Sequence, residues 1–205
     1  MGCQIRIQEL QRLPDLGKYT IPLVQIVAEN SLLPSRKTVE ALSGPVFRTI
    51  RGKIDQRGTL FDDNLGQGPG MYDDNTSPRW ALLWAHGFVR MPHVPGWTFA
   101  HIWPLSKDLN AYTNLANLAM LPECLSSLTD KNGPATPYLR YHAFAEYGWN
   151  PTDAELIKPK DYDEIEWHYF EGIDDPKTHI QLGLDKSKEK RVQLLRSLWH
   201  QFNLK

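Results

Sequence analysis

Apolar residues recur at helical spacing from Thr20 to Asn30, where Ile21, Val24, Val27 and Ala28 fall on one face and Pro22 sits in a tolerant first turn, with Thr20 placed as a cap. Pro34 and Ser35 then open a second short helix, RKTVEAL, with Ser35 as its N-cap and Gly44 just beyond its end. Two short helices across a turn are what a DNA-docking helix-turn-helix requires and, more often, what plain helix packing produces. From Pro45 to Leu60 apolar and basic residues mix around two Arg-Gly turns, which predicts one or two strands or a short hairpin. The stretch 61–75 is rich in Asp, Asn and Gly and is expected to be a loop. A helix follows, with Ser77 as N-cap, Pro78 at its first position and Gly87 at its end.

The next pattern changes period. After a turn broken by Pro92 and Pro95, the stretch 97–103 alternates as a strand, placing Phe99, His101 and Trp103 on one face before Pro104 stops it. A polar loop leads to a second apolar run, NLANLAML, and Pro122 opens a helix, PECLSSLTDKN, that stops at Gly133. On that helix Glu123, Ser126, Ser127 and Asp130 share one face, while Leu121, Cys124, Leu125 and Leu128 turn inward. Thr136 and Pro137 start a further helix ending at Gly148. Thr152 to Glu155 has the form of a capping box for a short helix, and 185–202 reads as an amphipathic helix with Val192, Leu195, Leu198, Trp199 and Phe202 inward.

Composition narrows the class. With 205 residues, 41% of them hydrophobic and 23% charged, the chain has the make-up of one soluble globular domain with its own core. No apolar run has the length to span a bilayer and the first residues lack a signal-peptide layout, so a cytoplasmic, non-membrane protein is expected. Cys3 and Cys124 are far apart and form no CxxC pair, which leaves oxygen or imidazole as metal ligands. A net charge of −1 gives no global attraction to nucleic acid, so any phosphate binding must be local. Arg48, Arg51, Lys53 and Arg57 make one basic segment, Lys186 to Arg196 another, and 153–175 is acidic.

The strings AHIWPLS and NLAMLPECLSSLTDKN, in strand-loop-strand-helix order over 97–132, resemble the ββα-metal motif of the HNH nucleases. The resemblance implies an α+β fold: a single domain over 1–205, with a ββα-metal core at 97–133 surrounded by helices. It leaves 1–60 as a DNA-contacting lobe and 150–205 as a C-terminal helical wrap. It also implies a divalent-metal-dependent endonuclease acting on phosphodiester bonds of DNA, of a restriction or phage-defence type. His101 would be the general base, since imidazole titrates near pH ~6.5 and a metal would offset charge on the leaving oxygen.

The middle asparagine of the motif is Asn117 or Asn114, with Asn117 the better alignment; its implied role is to bond the backbone of the loop that presents the histidine. The sequence departs from the family pattern at two ligands. Ala100 stands where the first is expected, and Ser126 falls on the last, or Glu123 if Asn114 is the middle residue. The replacements expected to hold Mg²⁺ or Mn²⁺ are Asp130, then Glu123, completed by Asp73 or Asp74 from the preceding loop. Arg48, Arg51, Lys53, Arg57 and Arg140 are the expected phosphate contacts. DNA is the expected partner, with RNA or single strands and a homodimer left open. The missing ligands also fit a retired nuclease kept as a nucleic-acid-binding or protein-interaction module.

Overall fold

The structure is a computed structural model that describes residues 19–63, 68–90, 94–152 and 154–203. Its elements are α1 (Thr20–Asn30), α2 (Arg36–Leu42), β1 (Thr49–Arg51), β2 (Leu60–Asp63), β3 (Gly68–Asp73), α3 (Thr76–Ala85), β4 (Trp97–His101), β5 (Leu118–Pro122), α4 (Thr136–Tyr147), α5 (Pro176–Lys186) and α6 (Lys190–Asn203). The fold is α+β, with one sheet ordered β1-β3-β2 and a separate antiparallel pair, β4-β5. No helix among the described residues is long and apolar enough to cross a membrane.

The centre of the molecule is β5, which is buried on both faces. Leu118 and Met120 join a core built on α3, α5 and α6, whereas Ala119 joins a second one with Val24, Val27 and Ala28 of α1 and Leu139 of α4. A strand whose two faces feed two cores ties them into one folding unit. Its outer edge is closed as well, because Leu32 exchanges backbone hydrogen bonds with Met120 at 2.7 and 3.0 Å. Leu33 takes up His168 and Phe170 in the same way.

Several expectations change. The segment 61–75 is not a loop throughout: Leu60–Asp63 pairs antiparallel with Gly68–Asp73. Glycine in that strand permits a close approach, since a Cβ on Gly70 would lie 2.6 Å from the Phe61 ring. Helix α3 starts one residue before Ser77, whose buried hydroxyl lies 2.9 Å from that of Thr49 instead of capping. The capping-box reading at Thr152 also fails, because Asn150 Oδ1 accepts from both the Thr152 N–H and hydroxyl in a turn and no helix starts at the described residues among 152–155. The C-terminal pattern divides into two helices, α5 and α6, and Phe202 remains exposed, stacked under the Arg48 guanidinium at 4.4 Å.

The element after Pro122 is a 3₁₀ helix, Glu123–Thr129, rather than an α-helix. Ser126, Ser127 and Thr129 favour local bonds to the backbone, and the Thr129 hydroxyl donates to the Ser126 carbonyl at 2.9 Å. With three residues per turn, Glu123, Ser126 and Thr129 align, and Asp130 lies just past the end with extended backbone.

Candidate active site

His101 ends β4, at the register position opposite Leu118. It is half-buried, stacked flat on the Tyr112 ring at 5.2 Å and 7°, with the Phe99 ring edge-on at 5.6 Å. Its Nε2 lies 3.0 Å from the Tyr112 carbonyl. A carbonyl only accepts, so Nε2 carries the proton and the neutral ring keeps its lone pair on Nδ1. Burial lowers the His101 pKa below its usual 6.5; the Tyr112 hydrogen bond opposes that, and the nearby Arg51 charge adds to it. The ring is therefore neutral at pH 7, the state a general base needs.

The loop beyond His101 is held by Asn117, which is fully buried. Its Oδ1 accepts from Trp103 N–H at 2.7 Å, and its Nδ2 donates to the carbonyls of Ala111 at 2.9 Å and Trp103 at 3.3 Å. Its own carbonyl accepts from Ile102 N–H at 2.9 Å. One side chain thus joins both ends of the loop that contains Tyr112, and Tyr112 in turn fixes His101. Asn114 does something more local: its Oδ1 caps the turn Leu115–Asn117 by accepting from Ala116 N–H at 3.0 Å. The two asparagines that spacing alone left ambiguous therefore have different jobs.

His101 opens onto a cleft of about 470 Å³. Around it stand Arg51, Ser106, Ser126, Thr129, Asp130 and Lys131, with Ala100 contributing only a methyl group. Arg51 is delivered by β1, whose end is anchored to the histidine loop through Arg51 N–H to the Ser106 carbonyl at 2.7 Å and Lys107 Nζ to the Arg51 carbonyl. Asp130 supplies the only carboxylate among the described lining residues. Among the described residues no three His, Cys, Asp or Glu side chains gather at one point.

The remaining sequence candidates lie elsewhere. Glu123 is exposed at the start of the 3₁₀ helix and does not line the cleft. Asp73 is fully buried at the end of β3, where Arg191 Nη1 lies 2.9 Å from its Oδ1. Burial raises its pKa, more than the Arg191 charge lowers it. It is occupied by a structural ion pair and is not brought to His101.

Arg48 is spent on the carbonyls of Pro69 at 2.9 Å and Gly68 at 3.1 Å. Arg140 donates to the Ile102 carbonyl at 3.3 Å and lies over the Trp103 ring at 4.6 Å, bracing the histidine loop from behind instead of facing phosphate. Lys53 is exposed beyond β1 and outside the cleft lining. Arg57 faces an adjoining pocket, 3.5 Å from Asp74. In the N-terminal lobe, α2 directs its basic residues to acids, Arg36 to Glu40 and Lys37 to Asp174, so of that lobe Arg51 alone lines the His101 cleft among the described residues. Sequence reading missed Lys131 and Tyr112. Lys131 adjoins Asp130, which was visible, but Tyr112 acts through its backbone carbonyl and ring, which no residue pattern announces.

No protein-family model, curated protein or solved structure matches this chain.

Proposed function

We propose that the chain is a divalent-metal-dependent endonuclease that hydrolyses DNA, with His101 as general base. The observation that carries this reading is the fixed His101 tautomer: a neutral imidazole with Nδ1 unprotonated, at the wall of a cleft that also holds Arg51, Lys131 and Asp130. Arg51 and Lys131 are suited to hold a phosphodiester against the histidine and to offset charge as the phosphorane forms. His101 Nδ1 then takes a proton from a water that attacks phosphorus, and the 3′ oxygen departs and is protonated by solvent.

The oxygen-bearing side chains among the described cleft residues are the carboxylate of Asp130 and the hydroxyls of Thr98, Ser106, Ser126 and Thr129. An all-oxygen set of this kind fits a hard cation that keeps most of its water, such as Mg²⁺ or Mn²⁺, and not a zinc ion. When bound, such an ion would act as a Lewis acid towards the leaving oxygen.

Purified protein is expected to nick plasmid DNA with Mg²⁺ or Mn²⁺ and to stop on EDTA addition. His101→Ala is expected to abolish cutting with an unchanged circular dichroism spectrum, and Asp130→Ala to raise the Mn²⁺ concentration required. Full cleavage by His101→Ala overturns the reading, and cleavage of RNA or single strands in preference to duplex reassigns the substrate.

A second reading is favoured by Ala100, which lines the cleft at the chain position where the resemblance expects a first metal ligand and can ligate nothing through its side chain. On that reading the chain is a catalytically retired binding module. DNA binding indifferent to divalent metal, with no cutting, supports it.

A further inference from the structure

Beside the His101 cleft lies a second pocket of about 240 Å³, lined by Arg51, Arg57, Asp74, Asn75, Thr76 and Arg79. Arg51 borders both. We propose that Arg51, Arg57 and Arg79 form an anion site continuous with the His101 cleft, which takes the DNA phosphates flanking the cleavage point. This inference rests on the reading of the cleft as a nucleic-acid site and extends it to a second contact.

Charge pairing supports the assignment. Asp73 and Asp74 are both engaged by Arg191, at 2.9 and 3.2 Å, and Asp74 also meets Arg57 at 3.5 Å. Among the described residues neither Arg51 nor Arg79 has a carboxylate partner. The Arg79 guanidinium lies instead over the Phe99 ring at 5.9 Å, and Phe99 is a wall of the His101 cleft. Four arginines, Arg51, Arg57, Arg79 and Arg191, against three carboxylates, Asp73, Asp74 and the Glu189 that Arg191 also meets at 3.8 Å, leave an excess of positive charge that only a ligand or counterions can balance. Helix α3 begins in the same pocket and directs the positive end of its dipole there.

The two sites are also mechanically linked. The Tyr112 hydroxyl donates to the Asp74 carbonyl at 2.7 Å, while the carbonyl of the same residue holds His101 at 3.0 Å. Tyr112 is fully buried, so the arginine pocket and the base are kept at a fixed spacing by one rigid side chain. Arg51 and Lys131 beside His101 would by themselves serve a small anion. A second cationic pocket at fixed distance suits a polymer with repeating phosphates, here a DNA strand.

The test uses the full chain carrying His101→Ala, so that DNA is bound but not cut, titrated with a fluorescent DNA duplex at several salt concentrations. Arg79→Ala and Arg57→Ala are each expected to lower the slope of log affinity against log salt by about 1, the signature of one lost phosphate contact. Arg79→Lys should restore the slope, and Arg36→Ala, whose partner is Glu40 on α2, should leave it unchanged. Thermal unfolding of each variant confirms that it is folded. Unchanged slopes in both alanine variants overturn the proposal, as does displacement of the duplex by orthophosphate at constant ionic strength, which would make the pocket a free-phosphate site. The outcomes separate from those of the cleavage reading. Lost slope without plasmid cutting by the wild type keeps the track and removes the nuclease, and cutting with unchanged slopes does the reverse.

Discussion

The Nε2 of His101 sits 3.0 Å from the carbonyl oxygen of Tyr112, while the two rings lie parallel at 5.2 Å. One residue therefore sets both the tautomer and the orientation of the histidine. Because burial and Arg51 hold the histidine below its usual pKa, the deprotonated form dominates at pH 7, and protonation sets in only below about pH 6.5. The cleavage rate is expected to rise with pH along a limb whose midpoint lies under that value. Arg51→Ala removes a positive charge, favours protonation and moves the limb to higher pH, as a pH-rate profile at saturating metal would record. A limb that stays in place removes Arg51 from the electrostatics of the base.

Asn117→Ala leaves the Trp103 N–H without its partner in a buried site, at about 1–3 kcal/mol, and takes one of two bonds from the Ala111 carbonyl, which still accepts from Asn114 N–H at 3.3 Å. Urea unfolding should show that loss together with reduced cutting, since the loop carrying Tyr112 loosens. Asn114→Ala removes a cap and a long 3.3 Å bond to the Asn110 carbonyl and should cost about 1 kcal/mol. Equal effects of the two substitutions would contradict the division of roles between them.

The Asp73–Arg191 pair is structural, so Arg191→Ala strands a buried carboxylate and should destabilise by about 3–5 kcal/mol. Adding Asp73→Asn to that variant should recover part of the loss. Asp73→Asn alone should leave Mn²⁺ affinity unchanged in calorimetry, in contrast to Asp130→Ala; a matching loss of Mn²⁺ affinity would return Asp73 to the metal site.

Two histidines outside the cleft lining make the fold acid-sensitive. Burial holds His86 and His142 at about 4, the first bonded to the Leu82 carbonyl at 2.7 Å and the second between the hydroxyls of Tyr162 and Tyr169. The unfolded chain takes up these protons first, at about pH 6.5, so the stability they confer is complete above that pH and is lost as pH falls towards about 4. Each unit of depression corresponds to about 1.4 kcal/mol per group. Urea unfolding at pH 7.5 and pH 5 should reveal this loss, and His142→Gln should lessen the dependence. A flat profile in the wild type would count against the buried neutral state.

Periodicity located α1 and α2 and the Ser35 cap, although Thr20 lies inside α1 instead of capping it, and it found β4 and β5, with β4 ending at His101 and not at Trp103. It failed where tertiary contact decides the outcome. The glycine-rich β3 reads as a loop until Phe61 is seen packed on it, and the serine-rich turn after Pro122 reads as α-helix because its leucines have helical spacing. The site divides the same way. His101 and Asn117 announce themselves through neighbouring residues in the chain, whereas the fate of each arginine depends on which carbonyl, ring or carboxylate the fold brings near it. Arg48 and Arg51 lie three residues apart, yet one is consumed by Gly68 and Pro69 and the other lines the cleft.

The double bridging of Leu32 and Leu33 bears on how the protein is assembled. That short segment pairs with Met120 on one side and, on the other, with His168 and Phe170, which lie well over a hundred residues further along the chain. Such distant pairings raise contact order and place closure late in folding. The hairpin that carries His101 is therefore not a portable cassette. A fragment ending before Phe170 would lose the partner that secures Leu33, and a nascent chain can close the pairing around Leu33 only once its C-terminal third has emerged.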